Sequence, residues 1–91
     1  MDDLPQLRKR VDELDDQIVK ALCERVKVCQ AIGSAKQNKG LPVKDAQRES
    51  EVYQRVKQQA AKLSLNPVQV EAVYREIVNM CSDVQLRKPR E

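Results

Sequence analysis

Steps of three or four residues through the first part of the chain meet Leu4, Leu7, Val11, Leu14, Ile18 and Leu22, then Arg25, Cys29, Ile32 and Lys36. Positions so spaced share one face of an α-helix. The pattern predicts a long amphipathic helix whose apolar seam runs into two cations. Asp3 stands as a cap ahead of Pro5, a residue tolerated in a first turn, and no breaker intervenes until about Asn38. Gly40 and Pro42 end this helix, the first as a C-terminal stop and the second because it cannot propagate one. A second helix is predicted from Asp45 to Lys62 or Leu63. Its stripe of Val52, Val56, Ala60 and Leu63 turns acidic when followed backwards to Glu49 and Asp45. The break Ser64-Leu65-Asn66-Pro67 supplies Asn66 as cap and Pro67 as the first residue of a third helix that runs to about Gln85. Here the stripe is Val70, Tyr74, Ile77 and Cys81, and the next step lands on Gln85.

Each seam therefore becomes polar at one end. A charge on a buried seam is costly unless an opposite charge meets it. Arg25 and Lys36 lie 11 residues apart, ~16 Å along the helix, and suggest a site for an anion. The two cations can instead lay their stems on the core with their heads in water. Asp45 and Glu49 can simply favour the positive end of a helix dipole. Buried Arg–Glu pairs can also fix helix register.

Length sharpens the architecture. About 34 residues of helix span ~50 Å, whereas a compact 91-residue chain has a radius of gyration near ~12 Å. No globule of this size covers such a helix, so an intertwined homodimer is expected, all-α, with three helices per chain.

Composition agrees with that class. There is no Phe or Trp, and two glycines and four prolines leave little material for hairpins. With 34% charged residues, the chain reads as helical throughout. The net charge of +3 suits attraction of an acidic metabolite but is too small to argue for nucleic acid. No apolar run reaches the ~20 residues of a membrane span. Asp2 and Asp3 do not resemble a basic signal-peptide start, so a cytoplasmic location is expected.

Three cysteines (Cys23, Cys29 and Cys81) without C-x-x-C spacing, and no histidine, argue against a metal centre or a disulfide framework. The cysteines read as small core residues. The chain also lacks an activated nucleophile and a phosphate-cradling glycine loop. What remains is a cage of fixed charges and donors, suited to a reaction that needs only positioning and electrostatic stabilisation.

These residues resemble the all-helical, AroQ-type chorismate mutases from Leu7 to Gln85. The pieces are Leu7-Arg8-Lys9-Arg10-Val11-Asp12 with Asp15, Glu24-Arg25, Ile32-Gly33-x-x-Lys36, Pro42-Val43-x-Asp45-x-x-Arg48-Glu49, and Gln85. None is specific alone; the Pro-Val-x-Asp-x-x-Arg-Glu run following Ile-Gly-x-x-Lys is strong in combination. The resemblance implies one domain over residues 1–86 with a short basic tail over 87–91. It also implies a homodimer with two sites, and the cofactor-free Claisen rearrangement of chorismate to prephenate on the route to phenylalanine and tyrosine.

The resemblance further implies roles for individual residues. Arg25 clamps one substrate carboxylate, and Arg8 reaches over from the other chain to hold the second. Lys36 and Gln85 donate to the ether oxygen, and Glu49 accepts from the ring hydroxyl. Asp45 helps at that hydroxyl, and Arg48 orients Glu49. Cys81 stands where relatives often carry serine, and packing suits it better than binding. Ile32, Val78 and Ser82 line the walls.

Two other functions compete. Isochorismate pyruvate lyase shares the fold, but its loop departs from the Pro-Val-x-Asp-x-x-Arg-Glu run. A non-enzymatic helical dimer could bind a partner protein, or nucleic acid through Lys36, Lys39, Lys44 and the Arg87-Lys88-Pro89-Arg90 tail. The absence of stacking aromatics counts against nucleic acid. Exposed polar faces leave room for docking to another enzyme of aromatic biosynthesis, although no residue names one.

Overall fold

Each predicted break is built from the residues that announced it. A computed structural model describes residues 3–86 as three α-helices: α1 (Leu4–Asn38), α2 (Ala46–Lys62) and α3 (Pro67–Leu86). Asp2 and the tail expected over 87–91 lie outside the described residues. At the end of α1, Gly40 takes φ +67°, the Leu41 amide donates to Lys36 O at 2.8 Å, and the Gly40 amide donates to Gln37 O at 3.1 Å. That paired closure satisfies carbonyls that the last turn would leave unpartnered. α2 ends the same way, with Ser64 at φ +61° in the glycine position and the Leu65 amide donating to Ala60 O at 2.8 Å.

The starts differ in detail. Asp45 accepts the Arg48 amide at 3.0 Å, and Asn66 accepts the amides of Val68 and Gln69 at 2.9 and 3.2 Å. Asp3 holds the cap position of α1 without a side-chain cap bond; its carbonyl accepts the Leu7 amide at 3.0 Å.

α3 lies between the other two helices, packing on α1 and on α2, while α1 and α2 do not pack on each other. Val52, Val56 and Val78 are the centre of the core, with Tyr53, Val70 and Tyr74 against them. Cys29, Ala60 and Cys81 are also buried. The expected stripes need three corrections. Leu63 is 71% exposed, because it is the residue at which the chain leaves α2. On α3, Val78 is buried where Ile77 is only half-buried, because a helix covered on two sides buries a wider arc than one stripe. Cys23 is exposed rather than core filler.

A polar clamp closes the outer side of the α2–α3 pair. Lys57 Nζ and Arg75 Nη2 reach Glu71 at 2.9 and 2.8 Å, and the Arg75 guanidinium lies 4.5 Å from the centre of the Tyr53 ring. These partners, Lys57 first, hold the Glu71 carboxyl below its ordinary range.

The molecule measures 58 × 32 × 14 Å, with a radius of gyration of 16.6 Å, well above the ~12 Å of a compact chain this long. The excess is α1. On its N-terminal half Leu4, Leu7, Val11, Leu14 and Ile18 remain 40–57% exposed. No helix among the described residues is long and apolar enough to cross a membrane.

Candidate active site

The polar ends of the three seams converge. α1 contributes Arg25, Cys29, Ile32 and Lys36, α2 contributes Arg48, Glu49 and Val52 behind its cap Asp45, and α3 contributes Val78, Cys81, Ser82 and Gln85. They surround a cavity of about 470 Å³, a volume suited to one small ligand. Gly40 closes α1, and the segment after it brings the N-terminus of α2 to the same cavity as the last turns of α1 and α3.

Lys36 organises the wall nearest the loop. Its Nζ donates to Val43 O at 2.6 Å and to Gln85 Oε1 at 3.2 Å. An ammonium group has no acceptor, so only the amide oxygen of Gln85 can face it. The Gln85 NH2 is thereby left as the end that can donate elsewhere. At the other side of the cavity, Arg25 Nη1 lies 2.6 Å from Cys81 Sγ and 3.9 Å from Cys29 Sγ. Thiols are weak acceptors and a guanidinium carries five N–H donors, so most of the donor capacity of Arg25 is unspent. Burial, with the neighbouring Cys81 thiol adding to it, pushes the Cys29 thiol up to about 11, which keeps that sulfur protonated and inert at neutral pH.

On the α2 wall, Asp45 is already engaged as the helix cap. Arg48 pairs with Glu51 at 3.5 Å. This is an exposed i,i+3 pairing along the helix, and no ion pair joins Arg48 to Glu49 among the described residues. Among the described residues Glu49 has no ion-pair partner, and it is half-buried on the cavity wall. Arg8 is not on the cavity; 17 residues of α1 place it ~25 Å from Arg25.

Sequence reasoning missed Val28, Val43 and Arg55, which also line the cavity. Arg55 had a signal, since it follows Arg48 by seven residues and so shares its face. Cys29 was assigned to the core and is both buried and exposed to the cavity along one edge. With Arg55 counted, the lining holds four cations (Arg25, Lys36, Arg48 and Arg55) against two carboxylates (Asp45 and Glu49). That surplus of two positive charges matches a dianion. Such an arrangement can bind two anionic groups, donate to an oxygen that gains charge, and accept from a hydroxyl.

An all-α chain with a preformed cationic cavity at the convergence of three helices is the class that fold and site define. The sequence profile of the family described as chorismate mutase type II matches residues 7–86, and the chain belongs to that family. It is 31% identical over 88 residues to a bifunctional chorismate mutase/prephenate dehydratase of Aquifex aeolicus, covering 93% of this chain and 24% of that protein. It is 33% identical over 54 residues to a chorismate mutase of Methanocaldococcus jannaschii, covering 59% of this chain and 54% of that protein. The chain thus spans about a quarter and about half of the lengths of these two relatives. Among solved structures it resembles a conserved hypothetical protein from Pyrococcus furiosus, with a TM-score of 0.71 at 33% identity, covering 90% of this chain and 93% of that one.

Proposed function

We propose that the chain converts chorismate to prephenate by a cofactor-free intramolecular rearrangement. The observation that carries this reading is the pairing of Lys36 with Gln85, which leaves the amide NH2 and the ammonium on one wall of a cavity with surplus positive charge. As the C–O bond of the substrate breaks, negative charge grows on the ether oxygen. Donors already in place stabilise that charge more than they stabilise the ground state. Arg25 holds one carboxylate through its unspent N–H groups, and Lys36 contributes to the binding of the dianion. Glu49, without an ion-pair partner among the described residues, accepts from the ring hydroxyl, with the second oxygen of Asp45 nearby. The dianion is held in the compact shape that the reaction requires, while Ile32 and Val78 line the apolar walls.

Two copies of the chain complete the site in this proposal. The exposed stripe from Leu4 to Ile18 supports it, because five large apolar side chains in a row are more than a lone helix face ordinarily leaves in water. In such a dimer Arg8 comes from the second copy to hold the other carboxylate. The direct test is consumption of chorismate by the purified chain, followed by the loss of its ultraviolet absorbance, with prephenate as product. No turnover by a folded, dimeric chain would reject the reading. Mixing inactive Arg8→Ala and Arg25→Ala chains then tests the shared site. Subunit exchange creates heterodimers with one intact site, so activity should return, and exchange without recovery would remove Arg8 from the site.

A further inference from the structure

Gly33 occupies the interior of α1, where glycine is about 1 kcal/mol less favourable than alanine. Unlike Gly40, it does not adopt a positive φ. What the position demands is space. A Cβ built on Gly33 would lie 3.0 Å from Gln85 Cα, 3.0 Å from Gln85 Cγ and 3.1 Å from Gln85 Cβ. Ordinary carbon–carbon contact is about 3.5–4.0 Å. The Cα and Cβ atoms of Gln85 cannot swing aside by rotation of the side chain, so a methyl group here must push the last turn of α3 outward by a few tenths of an ångström.

Lys36 follows Gly33 by three residues on the same face and donates to the tip of the same glutamine, Oε1, at 3.2 Å. Gln85 is thus fixed at both ends, its stem pressed onto bare backbone and its tip on an ammonium group. We infer that Gly33 is a positioning residue: its missing side chain sets how deeply the Gln85 amide enters the cavity, and so where its NH2 points. This inference rests on the proposed role of Gln85 as a donor to the reacting oxygen.

The test is Gly33→Ala. Helix propensity alone makes this substitution stabilising. Positioning predicts a fall in kcat of about 5- to 20-fold, below the ~100-fold that misplacing a reacting group by a full ångström costs. KM should stay within about threefold, because Arg25 is untouched. In a Gln85→Ala background there is no amide to misplace, so adding Gly33→Ala should change the residual kcat by less than about threefold. Equal fractional losses in both backgrounds would show that the methyl group acts through general packing and would overturn the inference. So would an unchanged kcat in the single variant. A Gly33→Ala chain that stays unfolded by circular dichroism even with the stabilising Ser64→Gly change would make Gly33 a requirement of the fold instead, again overturning it. If the wild-type chain does not consume chorismate, the parent reading fails separately. The Gly33 inference is then decided by the side-chain amide resonances of Gln85, which should shift in Gly33→Ala and would remain in place if Gly33 did not position them.

Discussion

Replacing Lys36 by methionine tests the centre of the site, because it keeps most of the apolar stem while removing the ammonium group. Two contacts disappear, the bond to Val43 O at 2.6 Å and the bond to Gln85 Oε1 at 3.2 Å. Charge-assisted bonds contribute about 1.5–3 kcal/mol each. Lys36 is only half-buried, so the loss of stability should stay at about 1–2 kcal/mol. The loss of transition-state stabilisation should be larger. A donor aimed at developing charge is worth about 2.7–4 kcal/mol, or 10²- to 10³-fold in kcat. Both quantities are measurable on one preparation, stability by urea unfolding at fixed protein concentration and turnover by the decay of chorismate absorbance. The expected result is a kcat lower by two to three orders of magnitude with a smaller rise in KM. A change confined to KM would reduce Lys36 to a ground-state anchor for the dianion. Turnover within threefold of wild type would refute the reasoning and leave Lys36 as a cation that merely ties the loop to α3.

Gln85→Glu places an ionised carboxylate beside Lys36, whose Nζ lies 3.2 Å from Gln85 Oε1, and, in the proposed reaction, against an oxygen that is gaining charge. Activity should be poor at neutral pH and recover as pH falls toward the pKa of the new acid; a flat pH profile with wild-type activity would remove Gln85 from the chemistry. Ser64→Gly relieves a left-handed backbone at φ +61°. It should stabilise the chain by about 0.5–1 kcal/mol, read as a higher urea midpoint, and a lower midpoint would contradict the strain argument. Cys29, raised to about 11 from the ordinary 9.0, favours folding with its thiol neutral. Its contribution is complete below pH 9 and is lost as pH rises through 11. Mass-resolved alkylation at neutral pH should therefore modify exposed Cys23 well before Cys29, and the reverse order would contradict the burial of Cys29.

The helix boundaries were legible because the breakers are local. Gly40 needs only its own φ, and Asn66-Pro67 needs only its own cap geometry. The cavity was legible for a different reason, since Arg25, Lys36, Glu49 and Gln85 interrupt stripes that are otherwise apolar, and all four line it. Pairings were less legible. Arg48 had two carboxylates at helical spacing, and periodicity does not choose between Asp45 and Glu51. Arg55 escaped notice because it interrupts no stripe, and only the position of α3 determines that its face borders the cavity. Leu63 shows the limit of extrapolation, since a stripe predicts burial only while the helix that carries it continues.

Helix dipoles and a ligand cavity account for the seam charges together rather than in competition. Lys36 sits in the last turn of α1 and Glu49 in the first turn of α2, so each lies at the helix end whose partial charge favours it. Those two charges can line the cavity at little cost. Arg25 has no such help, being in the interior of α1 with two weakly accepting sulfurs as its neighbours. It is the cation that most needs an incoming anion. A half-buried charge with no opposite charge beside it carries a desolvation cost that an apolar side chain of similar length does not, and the carboxylate clamp proposed for Arg25 cannot do without its charge. Arg25→Met should therefore separate the two properties. Its urea midpoint should equal or exceed that of the wild type, while kcat/KM for chorismate falls by at least about 100-fold, as expected for losing a charged partner of a bound carboxylate. If the urea midpoint instead falls well below that of the wild type, then Arg25 is held by the fold and its position on the seam says nothing about an anion.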